Sequence, residues 1–284
     1  MAREPLIRDI SDTARWVAYY RAVETARPDA RFRDPFARLL AGERGEKIAR
    51  AQTFANQNAW SFTARTVLFD RFITEAVRGG ADLVVNLAAG LDTRPYRMDL
   101  PKTLRWVEVD LPGILDYKEH ILKSAPPVCA LERVRLDLAD EAARRTLFSR
   151  LGTEATRALI VTEGLLIYLD PEAVLALAHD LAAVPAFRTW IIDLASPALV
   201  KMMIARGGDL TAAAGAPFKF APPDGPDFFA RLGWKPVTVS SLLKTAGHFN
   251  RLPFFLKVIS LLPEPRKPSP NRPWSAVIRL ERAG

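Results

Sequence analysis

Short apolar runs and amphipathic stretches alternate along most of this chain, and their spacing predicts where the elements lie. Through residue 78 the apolar positions recur at helical intervals. Trp16, Tyr19, Tyr20 and Val23 form one such series, with Asp12-Thr13 placed to cap it. Asp34-Pro35 predicts a second, short helix, because proline is tolerated in a first turn. Phe62, Leu68, Phe69, Phe72, Ile73, Ala76 and Val77 predict a third across Asn58–Arg78, stopped by Gly79-Gly80. Beyond this the period changes. Leu83–Leu87, Leu104–Val109, Leu131–Leu136, Ala158–Thr162 and Thr189–Leu194 are short, rich in β-branched residues and continuous rather than alternating. Such runs predict strands covered on both faces. Helical stretches such as Glu141–Leu151 and Glu172–Leu181 separate most of them, which predicts a parallel sheet between two helical layers. After Ala195 the rhythm breaks. Ser196–Asp227 is rich in Gly, Ala and Pro and reads as an insertion or lid, Lys235–Ser240 and Trp274–Leu280 as last strands, and Pro263–Pro273 as a linker.

Composition narrows the class. With 284 residues, 49% of them apolar, the chain can build one large α/β domain, which excludes disordered and collagen-like proteins. Its best candidate for a membrane span, Leu252–Leu262, is short and carries Lys257, so neither a span nor a membrane partner is expected. The first residues hold mixed charge rather than an apolar signal region, and a cytoplasmic location is expected. A single cysteine, Cys129, cannot form an internal disulfide or a cysteine-based metal site.

The net charge of +8 is unevenly spread: from Lys235 onward, nine Lys or Arg face two Glu. A solvated face compensating acids elsewhere explains this. An acidic substrate, carrier protein or nucleic acid explains it as well. No nucleic-acid-binding signature accompanies the charge, so nucleic acid is not the expected partner.

Open α/β sheets bind ligands at the carboxyl ends of their strands, so those ends hold the candidate site residues. The first gives Asn86-Leu-Ala-Ala-Gly90-Leu-Asp92-Thr-Arg94, in which Gly90 permits close backbone approach and Asp92 can cap the next turn. This is not the glycine fingerprint of a dinucleotide dehydrogenase. The second gives Glu108-Val-Asp110, a carboxylate suited to ribose hydroxyls. The third gives Asp137-Leu138, able to read an adenine amine and cover its ring, and the fourth Glu163-Gly164. Any one of these acids alone reads equally as a surface turn or cap. Four in succession form a constellation.

At these residues the chain resembles the leucine carboxyl methyltransferase family, and within it the bacterial S-adenosylmethionine-dependent branch. The matching pieces are Arg21-Ala-Val-Glu24-Thr with Asp34-Pro35, then Ala64-Arg65-Thr66 and Asp70. They continue as Asn86–Arg94, Glu108-Val-Asp-Leu-Pro112, Asp137-Leu138 and Glu163-Gly-Leu-Leu-Ile-Tyr-Leu169. The C-terminal third matches only loosely, and Ala88 stands where the family often has glycine. The resemblance implies a class I methyltransferase fold: a doubly wound, Rossmann-like α/β domain with a mostly parallel seven-stranded sheet. Within a single domain over 1–284 it implies a helical cover (1–78), a cofactor-binding core (79–195), a lid (196–234) and last strands (235–284). It implies S-adenosyl-L-methionine as cofactor, with Asp110 on the ribose, Asp137 and Leu138 on the adenine, and Arg65 on the methionine carboxylate. Glu163 would lie near its amino group, Gly90 in the loop, and Arg21 serve as a second cation or pair with a neighbouring acid.

O-methylation of a small hydrophobic acid, phenol or polyketide-like acceptor is the leading expectation. A protein C-terminal carboxyl group as acceptor and a non-catalytic binding module are the alternatives. Met202, Met203, Phe218, Phe220, Phe228, Phe229, Trp234, Phe249, Phe254 and Phe255 are candidates for an apolar acceptor pocket or for ordinary core, with Arg206, Lys219 and His248 as polar contacts. His248 is the one candidate base. Tyr168 and Cys129 read as packing residues, and no metal site is expected.

Overall fold

The protein is described here by a computed structural model covering residues 10–207, 217–263 and 269–283. Four helices come first: α1 (Ile10–Thr25), α2 (Ala37–Ala51), α3 (Thr53–Gln57) and α4 (Trp60–Arg78). Strands and helices then alternate as β1 (Leu83–Leu87), α5 (Arg94–Arg97), β2 (Arg105–Asp110), α6 (Pro112–Leu122), β3 (Ala130–Arg135), α7 (Glu141–Glu154), β4 (Ala158–Thr162), α8 (Pro171–Ala182) and β5 (Phe187–Ala195). The chain continues with α9 (Pro197–Gly207), β6 (Trp234–Ser241), α10 (Leu242–His248), α11 (Phe254–Ser260) and β7 (Ser275–Arg282).

The sheet order is β3-β2-β1-β4-β5-β7-β6. The first five strands are parallel, and β7 runs antiparallel between β5 and β6. Alternation of side chains splits the core in two. Val85, Leu87 and Ile160 face Phe148 of α7 and Val174 of α8, whereas Val84, Trp106 and Leu159 face Leu68, Phe69 and Phe72 of α4. Both faces are covered, as a parallel sheet requires. The register pairs Leu87 with Val109 and Asn86 with Val161, so the carboxyl ends of β1, β2 and β4 open at one edge.

Three sequence expectations change. Asp12 lies inside α1 (Ile10–Thr25) rather than before it, and its carboxylate pairs with Arg44 of α2. β3 is a half-exposed edge strand, and Glu132, Arg133 and Arg135 break its apolar run. Ser196–Asp227 opens with α9, because Pro197 suits a first turn and Ala198, Leu199, Lys201, Met202 and Met203 are good helix formers; the rest of its Gly/Ala-rich stretch, 208–216, lies outside the described residues.

Candidate active site

The loop after β1 is the most constrained piece of backbone at the open edge. Ala88 has φ 53° and Gly90 φ 49°, both left-handed, which glycine accepts freely and alanine does not. The loop is held from outside by Asp110 at the end of β2. One Asp110 oxygen accepts the Gly90 N–H at 2.6 Å and the other its neighbour Leu111 N–H at 2.7 Å. Burial pushes the Asp110 carboxyl above the usual range, and these two N–H groups partly offset it.

Next to this loop lies a chain of ion pairs. Arg94, nearly fully buried at the start of α5, reaches Asp70 of α4 at 2.7 Å, Asp92 at 2.9 Å and Glu163 at 2.8 Å. Arg65 of α4 holds the other Glu163 oxygen at 3.0 Å and Asp193, in β5, at 3.3 Å. Asp193 also accepts the Gly164 N–H at 2.7 Å. Burial acts to raise the Asp92 carboxyl, but Arg94, with Lys118 and Arg97 nearby, brings it down to about 2. Asp193 is pushed above the usual range because burial outweighs Arg65. The Tyr168 phenol is pushed up to about 12 by burial. Gly164 is required here: its φ is 66°, and a Cβ on it would come 3.3 Å from the Arg65 guanidinium.

Apart from Asp70 and Lys118, these groups line one cavity of about 730 Å³. Arg21, Arg65, Gly90, Asp110, Asp137, Leu138 and Glu163 all lie in its wall. Their partners refine the sequence reading. Arg21 donates to Asp34 at 2.8 Å and to the Leu91 carbonyl at 2.6 Å, while Asp34 also accepts the Thr93 hydroxyl, so α1 is tied to the β1 loop. Glu163 sits between Arg65 and Arg94 and orients both.

His248 ends α10, exposed and outside the cavity wall. Arg206 is exposed and Lys219 pairs with Asp170, also away from the wall. Among the candidate acceptor-pocket residues, Met202, Met203 and Phe218 line the cavity. Phe220, Phe228, Phe229 and Trp234 belong to the core, and Phe254 and Phe255 are exposed. Arg94 and Asp193 received no role from the sequence. Arg94 stood within the quoted strand-one block and Asp193 at the next strand end, so extending the strand-end reading by one strand finds the latter.

A seven-stranded sheet of this order, with strand-end carboxylates around one cavity, is the class I methyltransferase fold. A profile of the leucine carboxyl methyltransferase family matches residues 14–182. The chain belongs to that family. Two relatives carry the name "Putative S-adenosyl-L-methionine-dependent methyltransferase". One, from Mycobacteroides abscessus, is 34% identical over 63% of this chain and 64% of its own length. The other, from Streptomyces coelicolor, is 37% identical over 57% of this chain and 60% of its own. The chain thus spans about three fifths of the length of these relatives. Among solved structures, a DUF574 family protein from Streptomyces avermitilis superposes with TM-score 0.63 at 14% identity, covering 96% of this chain and 97% of its own. A Thermobifida fusca protein does so with TM-score 0.57 at 13% identity, over 98% and 96%. Asp193, α9, α10 and α11 lie beyond the family match.

Proposed function

We propose that this protein transfers a methyl group from S-adenosyl-L-methionine to an oxygen of a small hydrophobic acid. The observation that carries this reading is the make-up of one cavity wall: carboxylates from successive strand ends and Arg65, together with an apolar lining of Ile167, Leu199, Met202, Met203 and Phe218. The residues fit the cofactor. Each Asp110 oxygen accepts one backbone N–H and keeps acceptor capacity for ribose hydroxyls. Asp137 and Leu138 would take the adenine. Arg65 uses only part of its five donors on Glu163 and Asp193, leaving others for the methionine carboxylate.

Charge supports the same fit. Among the described wall residues, five arginines face six carboxylates. Four of those arginines (Arg21, Arg94, Arg97 and Arg144) also pair with Asp34, Asp70 or Asp180 from outside the wall. A chain of net charge +8 therefore keeps a net-negative cavity, suited to a cationic ligand.

When bound, S-adenosyl-L-methionine supplies a methyl group already activated on a sulfonium. The protein's part is to align and to exclude water. The apolar wall orients the acceptor's body. Tyr168, held protonated, is a hydrogen-bond donor for an acceptor oxygen. The bases in the wall are carboxylates, and Asp92, Glu163 and Asp193 are each engaged by arginine. An acceptor that arrives ionised needs no base, which favours a carboxylic acid over a phenol or polyketide-like alcohol. Mass spectrometry with labelled cofactor and a panel of fatty acids, aromatic acids, phenols and peptides tests this. Label on an apolar acid is expected; methylation confined to peptide C-termini, or to none of the panel, refutes it.

A further inference from the structure

α11 and the two residues after it present a run of exposed apolar side chains. Phe254 is 84% exposed, Phe255 64%, Leu261 79% and Leu262 58%, with Val258 and Ile259 between them. Scattered exposed apolar residues are ordinary, but a contiguous group marks a contact surface. The inner side of the same helix faces the site, because Leu256 lines the cavity together with Leu243 of α10 and Met203 of α9. The apolar outer face and the apolar part of the cavity are thus parted by this one helix.

The chemistry of the surroundings selects the partner. From Lys244 to Leu262 the sequence holds Lys244, Arg251 and Lys257 and no acidic residue. Arg251 is neutralised by Glu24 at 2.9 Å and Asp29 at 2.7 Å. Lys257 is exposed, and among the described residues its partner is the neutral Asn250 amide oxygen at 2.9 Å. No helix among the described residues is long and apolar enough to cross a membrane. Phenylalanine and leucine flanked by lysine suit an element lying in the plane of an interface, and the cations favour anionic headgroups.

We propose that α11 docks the protein on an anionic lipid surface and that the acceptor enters the cavity from that surface past Leu256. The route for the acceptor rests on the methyltransferase reading; the docking does not. Flotation with vesicles of phosphatidylcholine, alone or mixed with phosphatidylglycerol, tests it. The protein is expected to float with the anionic vesicles and less with the neutral ones. Because both rings are exposed, Phe254→Ser/Phe255→Ser should leave melting temperature unchanged while lowering partitioning about thirtyfold. Lys257→Gln should lower it about fivefold on anionic vesicles only. Absence of flotation, or variants that float like the parent, overturns the proposal. So does a dimer that dissociates in the double variant without any lipid binding. Calorimetry with the demethylated cofactor, in the absence of lipid, tests the other reading separately. Flotation without heat keeps the docking and removes the acceptor route.

Discussion

Replacing Asp110 separates two roles that the geometry places on one carboxylate. Its oxygens clamp the backbone at Gly90 and Leu111, and its remaining acceptor capacity faces the cavity. Asp110→Asn keeps one acceptor oxygen and turns the other into a donor, so one N–H loses its partner. Leu111 is exposed and water can replace that bond; Gly90 is only half-buried. The stability cost is therefore about 1 kcal/mol, at the low end for a lost hydrogen bond. Relief from burying a charge reduces it further. Binding should suffer more. A hydrogen bond to a charged acceptor contributes about 1.5–3 kcal/mol against about 1 for a neutral one, so the demethylated cofactor should bind about tenfold more weakly to Asp110→Asn. Asp110→Ala should cost about 1–3 kcal/mol of binding.

Titration calorimetry at several pH values checks both magnitude and cause. Hydroxyl donors bind the ionised carboxylate more strongly than the neutral acid, so affinity in the parent falls as pH drops through the Asp110 pKa. Burial raises that pKa, so the fall begins at higher pH than for an ordinary aspartate. For stability the sign is opposite. A raised folded-state value means this group's contribution is fully present below the unfolded pKa and is lost as pH rises through the folded one. An Asp110→Ala protein that melts normally and binds the demethylated cofactor unchanged would show Asp110 to be a loop clamp only.

Ala88→Gly relieves a left-handed alanine, worth about 1 kcal/mol, against the larger unfolded-state entropy of glycine. Denaturant unfolding should give unchanged or slightly higher stability; a loss above about 1 kcal/mol would mean the methyl group packs rather than strains. Glu108→Gln leaves the Lys118 ammonium, fully buried and 2.7 Å from Glu108, without that counter-charge. It should cost about 3–5 kcal/mol in unfolding free energy, and a loss below 1 kcal/mol would show that Lys118 moves out to water. Arg65→Met removes the cation from Glu163 and Asp193. Calorimetry should show demethylated-cofactor affinity falling at least tenfold, since charged hydrogen bonds contribute about 1.5–3 kcal/mol; unchanged affinity places the methionine carboxylate elsewhere.

The parts of this molecule legible in the sequence are those set by local periodicity. All seven strands lie within one or two residues of their predicted runs, and for the buried β1, β2, β4 and β5 the reason is that continuous apolar segments between amphipathic helices have few other uses. The strand-end acids were legible for the same reason: topology carries each to the open edge. What the pattern does not encode is pairing across the sequence. Arg94 meets Asp70 and Glu163, and Arg65 meets Asp193, through strand order rather than spacing. Aromatic residues were equally ambiguous. Phe220, Phe228 and Phe229 stack edge-on against each other in the core, while Phe218, two residues earlier, packs on Tyr168 at the cavity. His248 looked available because it followed Gly247 in the basic third; only the direction of α10 places it outside.

The position of β7 between β5 and β6 bears on how the chain is made. β6 precedes β7 in sequence, yet it joins the sheet only through it. On a translating ribosome, β5 would emerge with Trp190, Ile191 and Ile192 beside an unpaired edge, and β6 would follow with nowhere to dock. An open apolar edge is a template for pairing with another chain. Both edges close when Ser275–Arg282 slots in, contributing the fully buried Val277, Ile278 and Leu280. Folding of the C-terminal side of the sheet therefore waits for this strand. A nick or frameshift ahead of residue 275 would release two strands for the loss of one.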